Sequence, residues 1–257
     1  MALFGCPFLD KTGLFTYIIY WRLNKSGRRY RRAGKMAVDL KVLAQMYYFA
    51  GLSASDLESA RRYIAFEKTI EKGETLLFEG DQSDYIYFVV SGAVKVYKRS
   101  ANGKEQILNI ASRGESLNDV AAFDGGGSAA NMLAMTPVRL YVVRKGDMEI
   151  LFAKCPKVAR NVARVLAGRV RRDSSLVEVL SFDHIISRLA KFILKQTAAG
   201  ADLLPSLTQQ DLASMVGTSR VVVNRSLRVM EEKKAIRLER RRIVVTDEKA
   251  LRSLVRQ

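Results

Sequence analysis

Arg220, Asn224, Arg225 and Arg228 are the residues whose types and spacing could do chemistry, and that chemistry is hydrogen bonding to flat, acceptor-rich edges. A guanidinium can take guanine O6 and N7 together, and an asparagine can do the same for adenine. With Val221 they share one face of a segment whose other face carries Val223, Leu227 and Met230 at i, i+4 and i+7. That is the spacing of a buried helical stripe. A helix start presenting three arginines and an asparagine to solvent suits a DNA major groove.

Such a helix must be held by others. Ser219 is placed to cap it, and Thr208 with Asp211 marks the start of an earlier helix whose apolar face is Leu212, Ala213 and Val216. Gly217-Thr218-Ser219 supplies the turn between the two. After Ile236, the run Glu239-Arg240-Arg241-Arg242 lies between Leu238 and Ile243-Val244-Val245, a strand-turn-strand pattern with a basic tip. Together these spell a winged helix-turn-helix over Leu207–Thr246. Arg220, Asn224 and Arg225 are its base readers, and Val221 and Arg228 lie on the same face. Thr208, Gln209 and Ser219 complete the DNA-binding set with Arg240, Arg241 and Arg242, the basic tip and the caps being placed for phosphate. A generic αα-hairpin with a solvated basic loop is the bland alternative.

At 257 residues, 48% hydrophobic, the chain has room for two domains with real cores. Its net charge of +17 points to an acidic partner, nucleic acid or an anionic membrane surface. The charge is not uniform: residues 46–156 carry 13 basic and 14 acidic side chains, whereas residues 183–257 carry 15 and 8. A basic balance rising where the helix-turn-helix stands matches a DNA footprint. Two cysteines, Cys6 and Cys155, exclude a disulfide framework, and with a single histidine, His184, they leave too few ligands for a zinc or iron–sulfur site. No metal, no cofactor and no catalytic constellation is expected, and a reducing cytoplasm is the expected compartment. Leu14–Trp21 is far short of the roughly 20 residues of a membrane-spanning helix, so no stable membrane insertion is expected.

Residues 1–45 read as an N-terminal extension outside the main fold, aromatic over Gly13–Trp21 and basic over Arg22–Lys35. A membrane-surface or extra nucleic-acid-binding arm is one reading of this segment; a disordered appendage, or an upstream start with Met36 or Met46 as the functional first residue, is preferred. Residues 46–155 read as a sensing domain. Ser53 caps a short helix, and strand-like runs at Thr75–Phe78, Tyr85–Val90, Ala93–Lys98, Gln106–Ile110, Met132–Met135 and Arg139–Val143 are punctuated by Gly80-Asp81, Ser91-Gly92, Asn102-Gly103, Arg113-Gly114 and Gly125-Gly126-Gly127. Short strands with such turns argue a small antiparallel barrel or roll. Pro156 opens a helix over 156–181 with the stripe Val158, Val162, Val165, Leu166, Leu176, Val179 and Leu180. Packing on its own barrel would produce this pattern, and so would a dimer seam. Dimerisation is preferred, because palindromic half-sites need two readers on one two-fold axis. The helix-turn-helix domain occupies 182–257. The fold class expected is α+β: an antiparallel, jelly-roll-like β-roll, a long dimerisation helix and a winged helix-turn-helix.

This order of parts resembles the CRP/FNR family of bacterial transcription regulators. The resemblance covers Tyr47 to the C-terminus and rests on KGETLLFEGDQSDYIYFVVSGAVKVYK (72–98), Gly114-Glu115, Ser128–Val143 and the winged helix-turn-helix. It implies a homodimer on a palindromic promoter site, switched by a small-molecule effector and acting with RNA polymerase. It also implies an effector site in which Gly114, Glu115 and Ser116 stand opposite Ser128 and Ala129. Cyclic-nucleotide-binding members carry Gly-Glu followed by Arg-Ser/Thr-Ala, the Glu holding the ribose hydroxyl and the Arg neutralising the cyclic phosphate. Ser128 stands at that Arg position, which argues against cyclic AMP as the effector. Val221 replaces the base-contacting Glu of the family's Ser-Arg-Glu. The four cysteines of oxygen sensing and the effector-domain histidine of haem sensing are missing. Two rivals stand beside this reading: a ligand-binding regulatory module acting on another protein, and a charge-driven, non-specific DNA-binding protein.

Overall fold

The computed structural model describes residues 38–198, 207–239 and 242–255. Its amino-terminal half is two four-stranded antiparallel sheets laid face to face. One has the order β1 (Ile64–Ile70), β8 (Val138–Arg144), β3 (Tyr85–Ser91), β6 (Ser116–Leu117). The other runs β2 (Thr75–Leu77), β7 (Asn131–Ala134), β4 (Val94–Arg99), β5 (Glu105–Ala111). Side chains between the sheets, among them Val89, Val94, Ala111, Met132, Leu140 and Val142, form one core. The other face of the first sheet carries Ile86, Phe88, Val90, Tyr141 and Val143, and helices cover it. Strand β3 is therefore buried on both faces, which explains why Tyr85–Val90 reads as a continuous apolar run instead of an alternation.

The covering layer comes from both ends of the roll. Helix α1 (Leu40–Ala44) is capped by Asp39, and a 3-10 turn follows at Tyr47–Phe49. Next come α2 (Ala54–Arg61), capped by Ser53 as expected, α3 (Asp119–Asp124) and α4 (Lys145–Lys154). Leu43, Tyr48 and Phe49 are fully buried, with the Tyr48 and Phe49 rings 5.2 and 5.3 Å from that of Phe88. Val38 and Leu43 belong to this core, so the fold reaches back past the boundary expected at residue 45. The earlier readings at Gly13–Trp21 and Arg22–Lys35 lie outside the described residues.

Helix α5 (Pro156–Phe182) starts on a proline, whose missing N–H costs nothing at a first helical position. Its first half does not wait for a partner. Val158 and Val162 are buried in the roll's own core, with Val165 and Leu166 packed against it. Asn161, also buried, donates to the carbonyls of Tyr48 (3.1 Å) and Ala50 (3.0 Å). Val162, Val165, Leu166, Leu176 and Leu180 were expected to face a second subunit. Val162 is instead buried within the chain, where α5 packs on the 3-10 turn and α4, and Val165 and Leu166 are half-buried against the same core. Among the positions α5 leaves exposed are Ala163, Ala167, Val170, Ser174 and Val177.

The carboxy-terminal unit contains α6 (Ile185–Ala198), α7 (Gln209–Val216), α8 (Arg220–Glu232), the hairpin β9 (Ile236–Glu239) and β10 (Arg242–Val245), and α9 (Glu248–Ser253). Leu189, Ile193, Leu212, Val216, Val223, Leu227, Met230, Ile236 and Leu251 make its core. No helix among the described residues is long and apolar enough to cross a membrane.

Candidate nucleic-acid interface and effector junction

Helix α7 starts on a full capping box. Thr208 Oγ1 accepts from the Asp211 N–H at 3.1 Å, and Asp211 Oδ2 accepts from the Thr208 N–H at 3.0 Å. It ends at Gly217, whose φ of +72° is left-handed, the conformation a glycine takes without strain. Ser219 then caps α8 through the N–H of Val222. Val223, Leu227 and Met230 are buried, which turns Arg220, Val221, Arg225 and Arg228 outward; Val221 is 76% exposed. Asn224 is half-buried beside them. Arg220 Nε reaches Gln209 Oε1 at 3.4 Å, so the starts of the two helices share one surface. Glu231 Oε1 accepts from the Leu238 N–H at 2.8 Å and ties the hairpin to the end of α8. Arg240 and Arg241 lie outside the described residues, and Arg242 opens β10.

In the roll, the residues expected to hold an effector are placed as follows. Glu115 is occupied locally: its Oε2 accepts from the Ser112 N–H at 2.8 Å, and its Oε1 faces Asn109 Nδ2 at 3.3 Å. Gly114 precedes it with φ +88°. Ser128 is buried, and its hydroxyl donates to the Ala130 carbonyl at 2.9 Å, closing a turn around Ala129. That loop is pinned to the β2–β3 turn, since the Ser128 N–H donates to Asp81 O and the Gly80 N–H to Ser128 O, each at 2.8 Å. A Cβ on Gly127 would stand 2.5 Å from Gly80 O, so only glycine fits there. Lys145 Nζ lies 3.9 Å from where a Gly125 Cβ would be, a cation outside the Gly-Glu and Arg-Ser/Thr-Ala motifs.

The charged centre of the roll lies elsewhere. Asp119, at the start of α3, has a fully buried side chain, and Arg169 of α5 reaches it with Nη1–Oδ1 at 3.0 Å. The Tyr48 hydroxyl and Ser116 Oγ (2.6 Å) both donate to Asp119 Oδ2. Arg169 Nη2 also donates to the Ser116 carbonyl at 2.6 Å and to its hydroxyl at 3.0 Å. Burial works against the Arg169 cation, yet the Asp119 carboxylate outweighs it and raises the Arg169 pKa. Burial, then the Asp119 charge, pushes the Tyr48 phenol upward as well. Ser116 was expected at the site; Tyr48, Asp119 and Arg169 were not. The available signal was an acid at the start of a short helix and an arginine interrupting the stripe of α5.

A model of the cyclic nucleotide-binding domain matches residues 67–155, and one of the Crp-like helix-turn-helix domain matches residues 187–254. The chain belongs to the CRP/FNR family. Its members are transcription regulators and not enzymes. A CRP-like cAMP-activated global transcriptional regulator of Mycobacterium tuberculosis is 27% identical over 218 residues, 82% of this chain and 97% of that one. The cyclic AMP receptor protein of Thermus thermophilus is 29% identical over 190 residues, 74% and 88% of the two chains. Among solved structures, FixK2 from Bradyrhizobium japonicum shares the fold with a TM-score of 0.66 at 22% identity, covering 73% of this chain and 96% of that one.

Proposed function

We propose that this CRP/FNR regulator acts as a homodimer that reads a palindromic promoter site through α8 and is switched at the Asp119–Arg169 junction. The observation that carries the DNA reading is the outward stripe of Arg220, Val221, Arg225 and Arg228 over a buried Val223, Leu227 and Met230. Asn224 joins the base readers. Thr208, Gln209 and Ser219 hold phosphate together with Arg240, Arg241 and Arg242. RNA polymerase is the partner at the promoter.

The dimer seam in this reading is the stripe α5 leaves open. Ala163, Ala167, Val170, Ser174 and Val177 recur at spacings of four, three, four and three, the a/d repeat of a two-stranded coiled coil, and Val170 and Val177 are 65% and 64% exposed. Small residues at 163, 167 and 174 let two backbones approach closely. Arg169 lies next to Val170 and holds Asp119, so whatever occupies the roll near Ser116 and Asp119 acts directly on the seam.

The effector, on this reading, is not cyclic AMP in the family's usual pose. A buried cyclic phosphate requires a paired cation or several donors. The Ser128 hydroxyl at that position is already given to Ala130 O. Lys145 beside Gly125 favours a second reading, in which an anionic ligand takes that ammonium in place of the missing arginine. Titration calorimetry separates the two. A micromolar dissociation constant for cyclic AMP, lost in Lys145→Ala, establishes the second.

The DNA reading is tested by Arg225→Ala. It should cost about 1–3 kcal/mol on the specific site and relax preference at one base pair. Equal losses on specific and random duplexes would mean binding by charge alone.

A further inference from the structure

The outer face of the β4–β5 hairpin carries a lysine where a strand would ordinarily meet water. Lys95 sits between Val94 and Val96, and its side chain is only 10% exposed. Burying an ammonium is costly unless anions meet it. Two do, and they come from different domains. Glu105 of β5 lies 2.9 Å from Lys95 Nζ, and Asp211, the capping acid of α7, lies 3.8 Å away on the other side. The Tyr97 ring closes the pocket, its centroid 4.6 Å from the ammonium. One turn further along α7, Gln106 Nε2 donates to the Met215 carbonyl at 3.3 Å. Gly217 completes the contact: a Cβ there would stand 2.8 Å from Leu180 Cδ2 and 3.2 Å from Gln106 Oε1.

A separate attachment lies at the end of α5. Arg188 spends its guanidinium on three carbonyls: Asp183 at 2.9 Å, Leu180 at 2.8 Å and Val216 at 3.1 Å. It thus binds the C-termini of α5 and α7, where a cation is favoured by both helix dipoles. A body held at one point can still rotate about it. The Lys95–Gln106 contact is a second point, on a different side of α7.

We infer that Lys95, a residue of the effector domain, is a positioning residue for DNA recognition: with Gln106 it seats α7 on the β4–β5 hairpin and so fixes how far apart a dimer holds its two recognition helices. The seat takes the flank of α7 and leaves Thr208, Arg220, Val221, Arg225 and Arg228 exposed, so it is compatible with reading DNA and does not mask the interface. The inference rests on the dimeric reading above.

The experiment uses the full chain and palindromic duplexes carrying the half-site selected by the wild type, with the central spacer varied one base pair at a time. Wild type should prefer one spacer. Lys95→Met should keep the same half-site, bind the preferred spacer roughly tenfold more weakly, and tolerate spacers one or two base pairs longer or shorter. Gln106→Ala, a change at a half-buried side chain, should broaden the spacer preference in the same direction, and Lys95→Arg should restore it. A spacer profile unchanged in both Lys95→Met and Gln106→Ala overturns the proposal while leaving the dimeric reading intact. Tighter binding by Lys95→Met overturns it too, since the contact would then be inhibitory. A wild-type chain indifferent to spacer overturns the dimeric reading and this inference together.

Discussion

Replacing Arg169 by methionine keeps most of the side-chain volume on α5 and removes the only ion-pair partner that Asp119 has among the described residues. The Asp119 side chain is 0% exposed and that of Arg169 23%, so the two partners are not equivalent. Once Arg169 is gone, the buried carboxylate keeps only the Tyr48 and Ser116 hydroxyls as side-chain donors. Breaking a buried pair from the cation side costs about 3–5 kcal/mol. For a chain of this size, that amounts to a fall in Tm of roughly 6–20 °C. Asp119→Asn should cost less, about 1–2 kcal/mol, since Arg169 can turn its free end to solvent and the amide oxygen still accepts a hydrogen bond. The double variant should then be more stable than Arg169→Met alone, because the stranded charge is absent. Urea unfolding of all four proteins at one chain concentration gives the cycle, concentration being fixed because a dimer's stability depends on it. An Arg169→Met cost below about 1 kcal/mol, or a double variant no better than Arg169→Met, would refute the view that this pair holds α5 to the roll.

Val170→Glu places a charge in the proposed seam and should give monomers by sedimentation at micromolar concentration, with the fold retained, whereas Val162→Ala should lower Tm by several degrees and leave the dimer intact. Val221 can offer a base only apolar contact, most naturally a thymine methyl, so Val221→Glu should shift the selected half-site toward cytosine, whose N4 donates to a carboxylate. For acid stability the sign follows from Glu105. Burial raises its pKa, but hydrogen bonds from Arg99 and Lys95 outweigh that and hold the carboxyl below its ordinary value. Its contribution is therefore complete above the ordinary carboxylate range and is lost as pH falls through the lowered value. Acid unfolding below about pH 4 should be less steep in Glu105→Gln than in wild type.

Much of this architecture is legible in the sequence wherever the signal is local. Thr208 with Asp211, Gly217 and Ser219 mark the helix-turn-helix because capping and left-handed turns act over three or four residues. Asn102-Gly103 and its counterparts mark the strand ends for the same reason. Strand β6 is two residues long, too short to carry a period. The Asp119–Arg169 pair spans fifty residues of chain and joins two elements whose contact is set only by packing. Glu115 has the residue type a motif asks for, and the Ser112 N–H of its own turn orients that carboxylate, a contact the motif alone does not specify. Helix α5 carries two stripes, and the more apolar one, Val158–Val162–Val165, packs into its own chain's core beside the 3-10 turn and α4. The less conspicuous Ala163–Ala167–Val170–Ser174–Val177 stripe stays exposed and is the seam proposed for a partner.

Selection of binding sites from random duplexes by the full-length wild-type chain tests the central claim most directly. Recovery of an inverted repeat, with half-site centres about one helical turn (roughly 34 Å) apart and with one base-pair position losing its preference in Arg225→Ala, is the expected result. A pool without any enriched sequence, retained only at low salt, would contradict it.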